Sequence, residues 1–373
     1  MHTPLRRPLT LALTAALAAL LAVPAAQAQD AGSMREQRAK RMAELGKGKD
    51  AGKAQEPAPL YPNATRSAPE ARANPKLVKQ LQELQQLFEE HKNEEVIAKA
   101  EAIAAMPAAG AYDKSYAYSV AGNAAADLDQ PDRAAEFFRK AVDANGLDNN
   151  SHFAVMYNLV VLQYSGQKYA DALATLDRFL AETKSDKPEH QSLRASILAN
   201  LGRNDEALAI YKALLAKNPD DKRMLMNAVA TLQAADKFDE ANTLLEQGYK
   251  RGMLTEPREL RVLYTGYMNT QRWDDARRVM EEGQAKGILQ PGPELARDYM
   301  VLAQNAYMDD KLPLAIELYG KAAPMAADGE AWLNQAKVLV MAGRKAEAKV
   351  AAQKALDKGV KKPEEAKRIL ATK

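Results

Sequence analysis

The chain has no cysteine among its 373 residues. That excludes disulfides, thiolate metal sites, cysteine nucleophiles and a lipid-modified N-terminal cysteine. Aromatic residues are scarce, at 6%, which suits packed helices. Neither sign of charge dominates: 52 Lys+Arg against 49 Asp+Glu leave +3. A nucleic-acid-binding chain usually carries a strong basic excess, so that class is not expected. Histidine is nearly missing too. His91, His152 and His190 stand alone beyond the N-terminal segment, with no ligand at metal spacing, and read as surface residues. No G-x-S-x-G, H-E-x-x-H or G-x-G-x-x-G occurs, so no nucleophile elbow, zinc helix or dinucleotide loop is in view. No catalytic, cofactor or metal site is expected.

Long apolar runs are missing after Val23. Before it, Arg6 and Arg7 precede an apolar stretch from Leu9 to Val23, and Ala26-Gln27-Ala28 offers a small-x-small site. This is the pattern of a secretory signal cleaved after Ala28. The stretch is short of the roughly 20 residues that span a bilayer. The expected product is exported and periplasmic, with no transmembrane segment.

Residues 29–74 are Gly-, Pro- and Ala-rich without an apolar period and read as a flexible linker. Within them "GKGKDAGK" imitates a phosphate loop. A Walker loop needs a first glycine where Lys47 stands, and Ser or Thr where Ala54 follows Gly52-Lys53.

From residue 75 to 373 the periodicity is helical. A small residue recurs with a bulky apolar one four later and a small or apolar one three after that. Ala207–Tyr211–Leu214 is the clearest copy. Ala134–Phe138–Ala141, Ala172–Leu176–Phe179, Ala241–Leu245–Gly248, Ala276–Met280–Gly283, Ala315–Tyr319–Ala322 and Ala348–Ala352–Ala355 repeat it, and Val96–Ala100–Ile103 is a weaker copy. The steps between first members are 38, 38, 35, 34, 35, 39 and 33 residues. Offsets of four and three put each triplet on one helical face. The small residue admits a crossing helix, and the bulky one fills the space beside it. About twelve residues upstream lie Gly122, Ala195, Ala303 and Ala336, a second small set on a partner helix. Gly202 and Gly343 mark turns within units. Gly252, Gly287 and Gly359 are placed as left-handed helix stops, each followed by proline and glutamate that start a new helix.

This pattern resembles the tetratricopeptide repeat family, whose unit is a 34-residue helix–turn–helix with a W-x2-L-G-x2-Y…A-x3-F…P signature. Trp332, Asn334, Ala336, Gly343, Ala348, Ala355 and Leu356 match one unit, and Ala207, Tyr211 and Pro219 match half of another. The likeness implies an all-α solenoid, a superhelix of about eight units. A polar last helix from Pro363 to Leu370 would cap it within the basic stretch that begins at Arg344. The units near Pro257 and Ala296 depart from the pattern: Tyr264 stands in one of them where a small residue belongs.

The resemblance also implies a concave groove lined by the first helix of each unit, where a protein or peptide partner would bind. Carried over by register, its candidates are Tyr116, Asn123, Tyr157, Asn158, Tyr164, Met226, Asn227, Arg258, Arg261, Tyr307, Asn334 and Lys337. Finally, "YPNATRSAPEA" and "KALDKGVKKPEEAKRIL" look like periplasmic tetratricopeptide proteins associated with TonB–ExbB–ExbD energy transduction. That likeness implies inner-membrane partners and a non-enzymatic scaffold. The alternatives are an envelope assembly factor docked on the membrane through its basic linker, and an enzyme with a site in the irregular units 257–300.

Overall fold

A computed structural model describes residues 58–372. The signal segment, its cleavage after Ala28 and the linker up to residue 57 lie outside the described residues. Among the described residues there are 17 helices and no strand. They form eight pairs: α1 Val78–Glu89 with α2 Asn93–Ala105, α3 Ala111–Asp127 with α4 Pro131–Ala144, α5 Asn149–Ser165 with α6 Tyr169–Thr183, and α7 Pro188–Asn200 with α8 Asn204–Lys217. Next come α9 Lys222–Ala234 with α10 Phe238–Lys250, α11 Pro257–Asn269 with α12 Trp273–Ala285, α13 Pro293–Met308 with α14 Leu312–Met325, and α15 Glu330–Met341 with α16 Lys345–Lys358. The unpaired α17, Pro363–Ala371, packs on α16 and α15 and buries only Ala366. It is a cap on an all-α solenoid.

Every pair turns in the same way. One residue in each turn has left-handed backbone: His91, Asp129, Gln167, Gly202, Asp236, Gln271, Asp310 and Gly343, with φ between 56° and 74°. Its N–H bonds back three residues, and the next N–H bonds back five, as from Gly202 to Ala199 and from Arg203 to Leu198. This paired closure satisfies carbonyls that the helix end would leave open. Five residues after each left-handed residue comes the first member of a triplet. Val96, Ala134, Ala172, Ala207, Ala241, Ala276, Ala315 and Ala348 are all 0% exposed. The turn therefore fixes which side chain meets the helix crossing, and in seven of the eight pairs that side chain is alanine, Val96 being the exception. The upstream set agrees: a Cβ on Gly122 would stand 2.5 Å from the Phe138 ring of its partner helix.

Between pairs the junctions vary. Gly252, Gly287 and Gly359 have the positive φ expected there, 74°, 68° and 86°, but a ψ of 120° takes Gly359 out of the left-handed helical conformation. Pro257, Pro293 and Pro363 open the following helices. Asp148 and Asp221 cap α5 and α9 by accepting from the N–H of Ser151 and Met224.

The core forms two clusters of buried apolar side chains, one running from α1 to α9 and the other from α8 to α17. Leu215 and Leu244 pack against both. The units expected to be irregular, 257–300, are ordinary helix pairs. Tyr264 is 2% exposed and its hydroxyl donates to Asp298 at 2.7 Å, so an aromatic substitutes for the small residue by finding a buried acceptor.

Part of the stretch read as linker lies on the solenoid. Residues 60–74 have no helix or strand but run along the edge formed by the junctions between pairs. Tyr61 makes a turn with Ala64, and its ring sits edge-on to Phe153 and Phe179, 5.5 Å from each. The Thr65 N–H donates to the Glu182 carbonyl at 2.8 Å. Asn74 donates to Ala108 and, through its N–H, to the buried carboxylate of Asp113. Composition alone does not reveal this strap, because its hydrogen-bond partners are 34 to 117 residues away.

Candidate functional site

All the candidate residues belong to the first helices of the pairs. Several of them link neighbouring first helices. The Tyr116 hydroxyl of α3 donates to Gln85 of α1 at 2.8 Å, and its ring stacks on Tyr112. Burial pushes this hydroxyl well above the ordinary tyrosine range. Arg261 of α11 pairs with Glu294 and Asp298 of α13. Lys337 of α15 pairs with Glu365 of α17. Lys222, not among the candidates, does the same between α9 and Glu259 of α11 at 2.6 Å. A cation already paired across the stack is less available to an outside carboxylate, since a new contact must displace the old one.

The other candidates divide further. The Tyr157 ring lies 5.5 Å from Phe179 and 5.0 Å from His190, so it belongs to the packing between pairs. Tyr164 sits edge-on to Tyr169 at 5.7 Å. Met226 and Tyr307 are partly buried against the core. Asn123 donates to the Ser119 carbonyl of its own helix, and the Asn227 carbonyl accepts from Thr231. Asn158 and Asn334 are half-buried. Arg258 is exposed, with no ion pair among the described residues. Of the two arginines on α11, it is the one open to a ligand.

Two features were not visible in the sequence. A cleft of about 600 Å³ opens between α8 and α10, with Leu208, Leu225 and Leu244 among its apolar lining and Lys212, Glu240 and Arg251 among its charged groups. The second is a pair of buried histidines, which corrects the surface reading. His152 is 0% exposed and His190 5%. His190 shares a 2.8 Å hydrogen bond with Ser185, while neither ring nitrogen of His152 has a partner. Burial, with Arg66 and Arg178 nearby, pulls the His152 pKa down to about 4. His91 alone is exposed. Among the described residues no group of His, Asp or Glu is arranged to hold a metal ion, and no helix is long and apolar enough to cross a membrane.

A stack of helix pairs with identical turns and, in seven of the eight, alanine at the crossing defines an α-solenoid built from repeats. The tetratricopeptide repeat family matches residues 119–188, 157–222 and 192–241. Residues 119–241 therefore carry tetratricopeptide repeats, and the helix pairs on either side share their turn. Solved structures similar to the chain include a tetratricopeptide repeat protein from Parabacteroides merdae, 18% identical over 69% of this chain and 97% of that one, with a TM-score of 0.41. Another is YrrB, described as a tetratricopeptide repeat protein with an unusual peptide-binding site, 21% identical over 50% of this chain and 90% of that one, with a TM-score of 0.40. No curated protein matches the chain.

Proposed function

We propose that the protein is a non-enzymatic scaffold, exported to the periplasm, that binds a protein or peptide partner on the face built by its first helices. The tetratricopeptide fold suggests a protein–protein interaction scaffold. The finer reading links it to TonB–ExbB–ExbD energy transduction through the likeness of its strap and C-terminal sequences to that group.

The observation that carries partner binding is Arg258, an exposed cation of α11 with no ion pair among the described residues, whereas Arg261 on the same helix is paired internally. It offers an acidic group on a partner a contact that disrupts nothing in the stack. Arg258→Glu should leave the helix content unchanged and weaken co-purification of inner-membrane and periplasmic partners. Cross-linking from position 258 identifies them. Undiminished co-purification by the Arg258→Glu chain would show that this face is not the binding surface. N-terminal sequencing of the exported protein tests the location, and a start at Gln29 is expected.

A further inference from the structure

The strap is held as a peptide ligand would be, at two anchors. At the first, Tyr61 enters the box formed by Phe153, Phe179 and His190, with Lys187 5.1 Å above its ring. The N–H of Leu60 donates to Asn150 at 2.8 Å. At the second, the Arg66 guanidinium donates to Asn145 Oδ1, to Asn149 Oδ1 at 2.6 Å and to the Leu147 carbonyl at 3.0 Å. Asn149 Nδ2 returns a bond to the Arg66 carbonyl. The acceptors of the guanidinium are Asn145 and Leu147 of the junction between α4 and α5 and Asn149 at the start of α5, so none is supplied by the strap.

The strap itself is lightly tied elsewhere. Among the described residues no hydrogen bond joins residues 67–73 to a helix; Arg72 bonds only to Glu70. Pro62 presets the Tyr61–Ala64 turn, which lowers the ordering cost of binding. Arg66 of the second anchor lies near His152, which is fully buried and whose two ring nitrogens have no partner among the described residues.

We propose that the edge between α4 and α7 is a peptide site. It recognises an aromatic–proline turn followed, five residues after the aromatic, by arginine. The chain's own residues 60–66 occupy it until a partner protein bearing such a segment displaces them. The site lies on the junction edge and not on the first-helix face, so it stands or falls apart from the role of Arg258.

The test uses the full chain carrying Tyr61→Ala and Arg66→Ala, and a labelled peptide of residues 58–68, followed by fluorescence anisotropy. The peptide should bind the variant saturably. It should bind the wild-type chain at least roughly tenfold more weakly, because the resident strap competes. Alanine at either anchor of the peptide should abolish binding. If the double variant loses helix content, Thr65→Pro takes its place; it removes the N–H to Glu182 from an exposed residue. A peptide that binds neither released chain, or binds wild type and variant equally, overturns the proposal. Concentration-dependent wild-type dimers lost in the double variant would assign the site to the strap of a second copy and overturn the partner reading.

Discussion

The Tyr211 hydroxyl stands 2.8 Å from Ser196 Oγ, joining the second helix of a pair to the first. Three pairs later Tyr319 reaches Gln304 in the same way at 3.0 Å. Ser196 and Gln304 each follow the small residue of a first helix, Ala195 and Ala303, both fully buried. The repeat therefore places polar hooks as well as apolar contacts. Burial raises the pKa of Tyr211 to about 12, so the hydroxyl keeps its proton through the physiological range.

Separating hook from bulk is direct. Tyr211→Phe should cost about 0.5–1.5 kcal/mol, the net worth of one hydrogen bond. Tyr211→Ala should cost about 3–5 kcal/mol, as for other buried aromatics, and Ala207→Leu about 1–3 kcal/mol by overpacking the crossing. Urea unfolding measures all three. Equal costs for the Phe and Ala variants would mean that Tyr211 does not fill the core.

The turns make a second prediction. Gly202 and Gly343 hold left-handed backbone without a Cβ, whereas six equivalent turns hold it with one. Gly202→Ala should lower stability by about 1–2 kcal/mol. Gln167→Gly and Gln271→Gly should be neutral or stabilising, since relief of strain opposes the extra freedom of glycine in the unfolded chain. A destabilisation by Gln167→Gly matching that of Gly202→Ala would contradict the shared geometry.

Arg66→Ala removes the strap's second anchor. Because hydrogen bonds to a charged group are worth more than neutral ones, a loss of about 1–3 kcal/mol is expected. Hydrogen exchange should quicken at residues 145–152 and stay unchanged beyond α10. Protection unchanged at both places would show that the anchor is idle.

His152 predicts a pH dependence of defined sign. Its folded pKa of about 4 lies below the ordinary value of 6.5. Above pH 6.5 the ring is neutral in both states and its stabilising effect is complete. As pH falls from 6.5 towards 4, the unfolded chain takes up a proton that the folded chain refuses, and stability drops by up to about 3 kcal/mol. The charged groups facing the ring are Arg66 from the strap, Arg178 from α6 and Asp148 at the head of its own helix. His152→Leu should flatten the urea midpoint across this window. A slope that survives the substitution would place the titrating group elsewhere.

The eight triplets were legible because a small residue at a crossing is a sequence constraint with a period. Six of the eight turns were not, since closure by backbone hydrogen bonds accepts His, Asp or Gln as well as glycine. The strap was illegible for a different reason. Tyr61 and Arg66 are held by groups far along the chain, and their local composition is that of a linker. The histidines followed from that omission, because the strap runs over the ground where His152 and His190 lie. The first-helix candidates were found as positions but not as states. Nothing local to Arg261 announces Asp298 37 residues on, and so nothing local separates it from Arg258.

The constant five-residue interval from left-handed residue to buried small residue divides the two edges of the stack by their tolerance of length. At the turns within pairs, one added residue would rotate the crossing side chain off its face. The junctions between pairs already absorb different lengths, and that between α12 and α13 carries Gly292 in open space. A tag or a fluorescent protein spliced there should leave the helices on either side in register, which gives the junction edge a practical use as an insertion port.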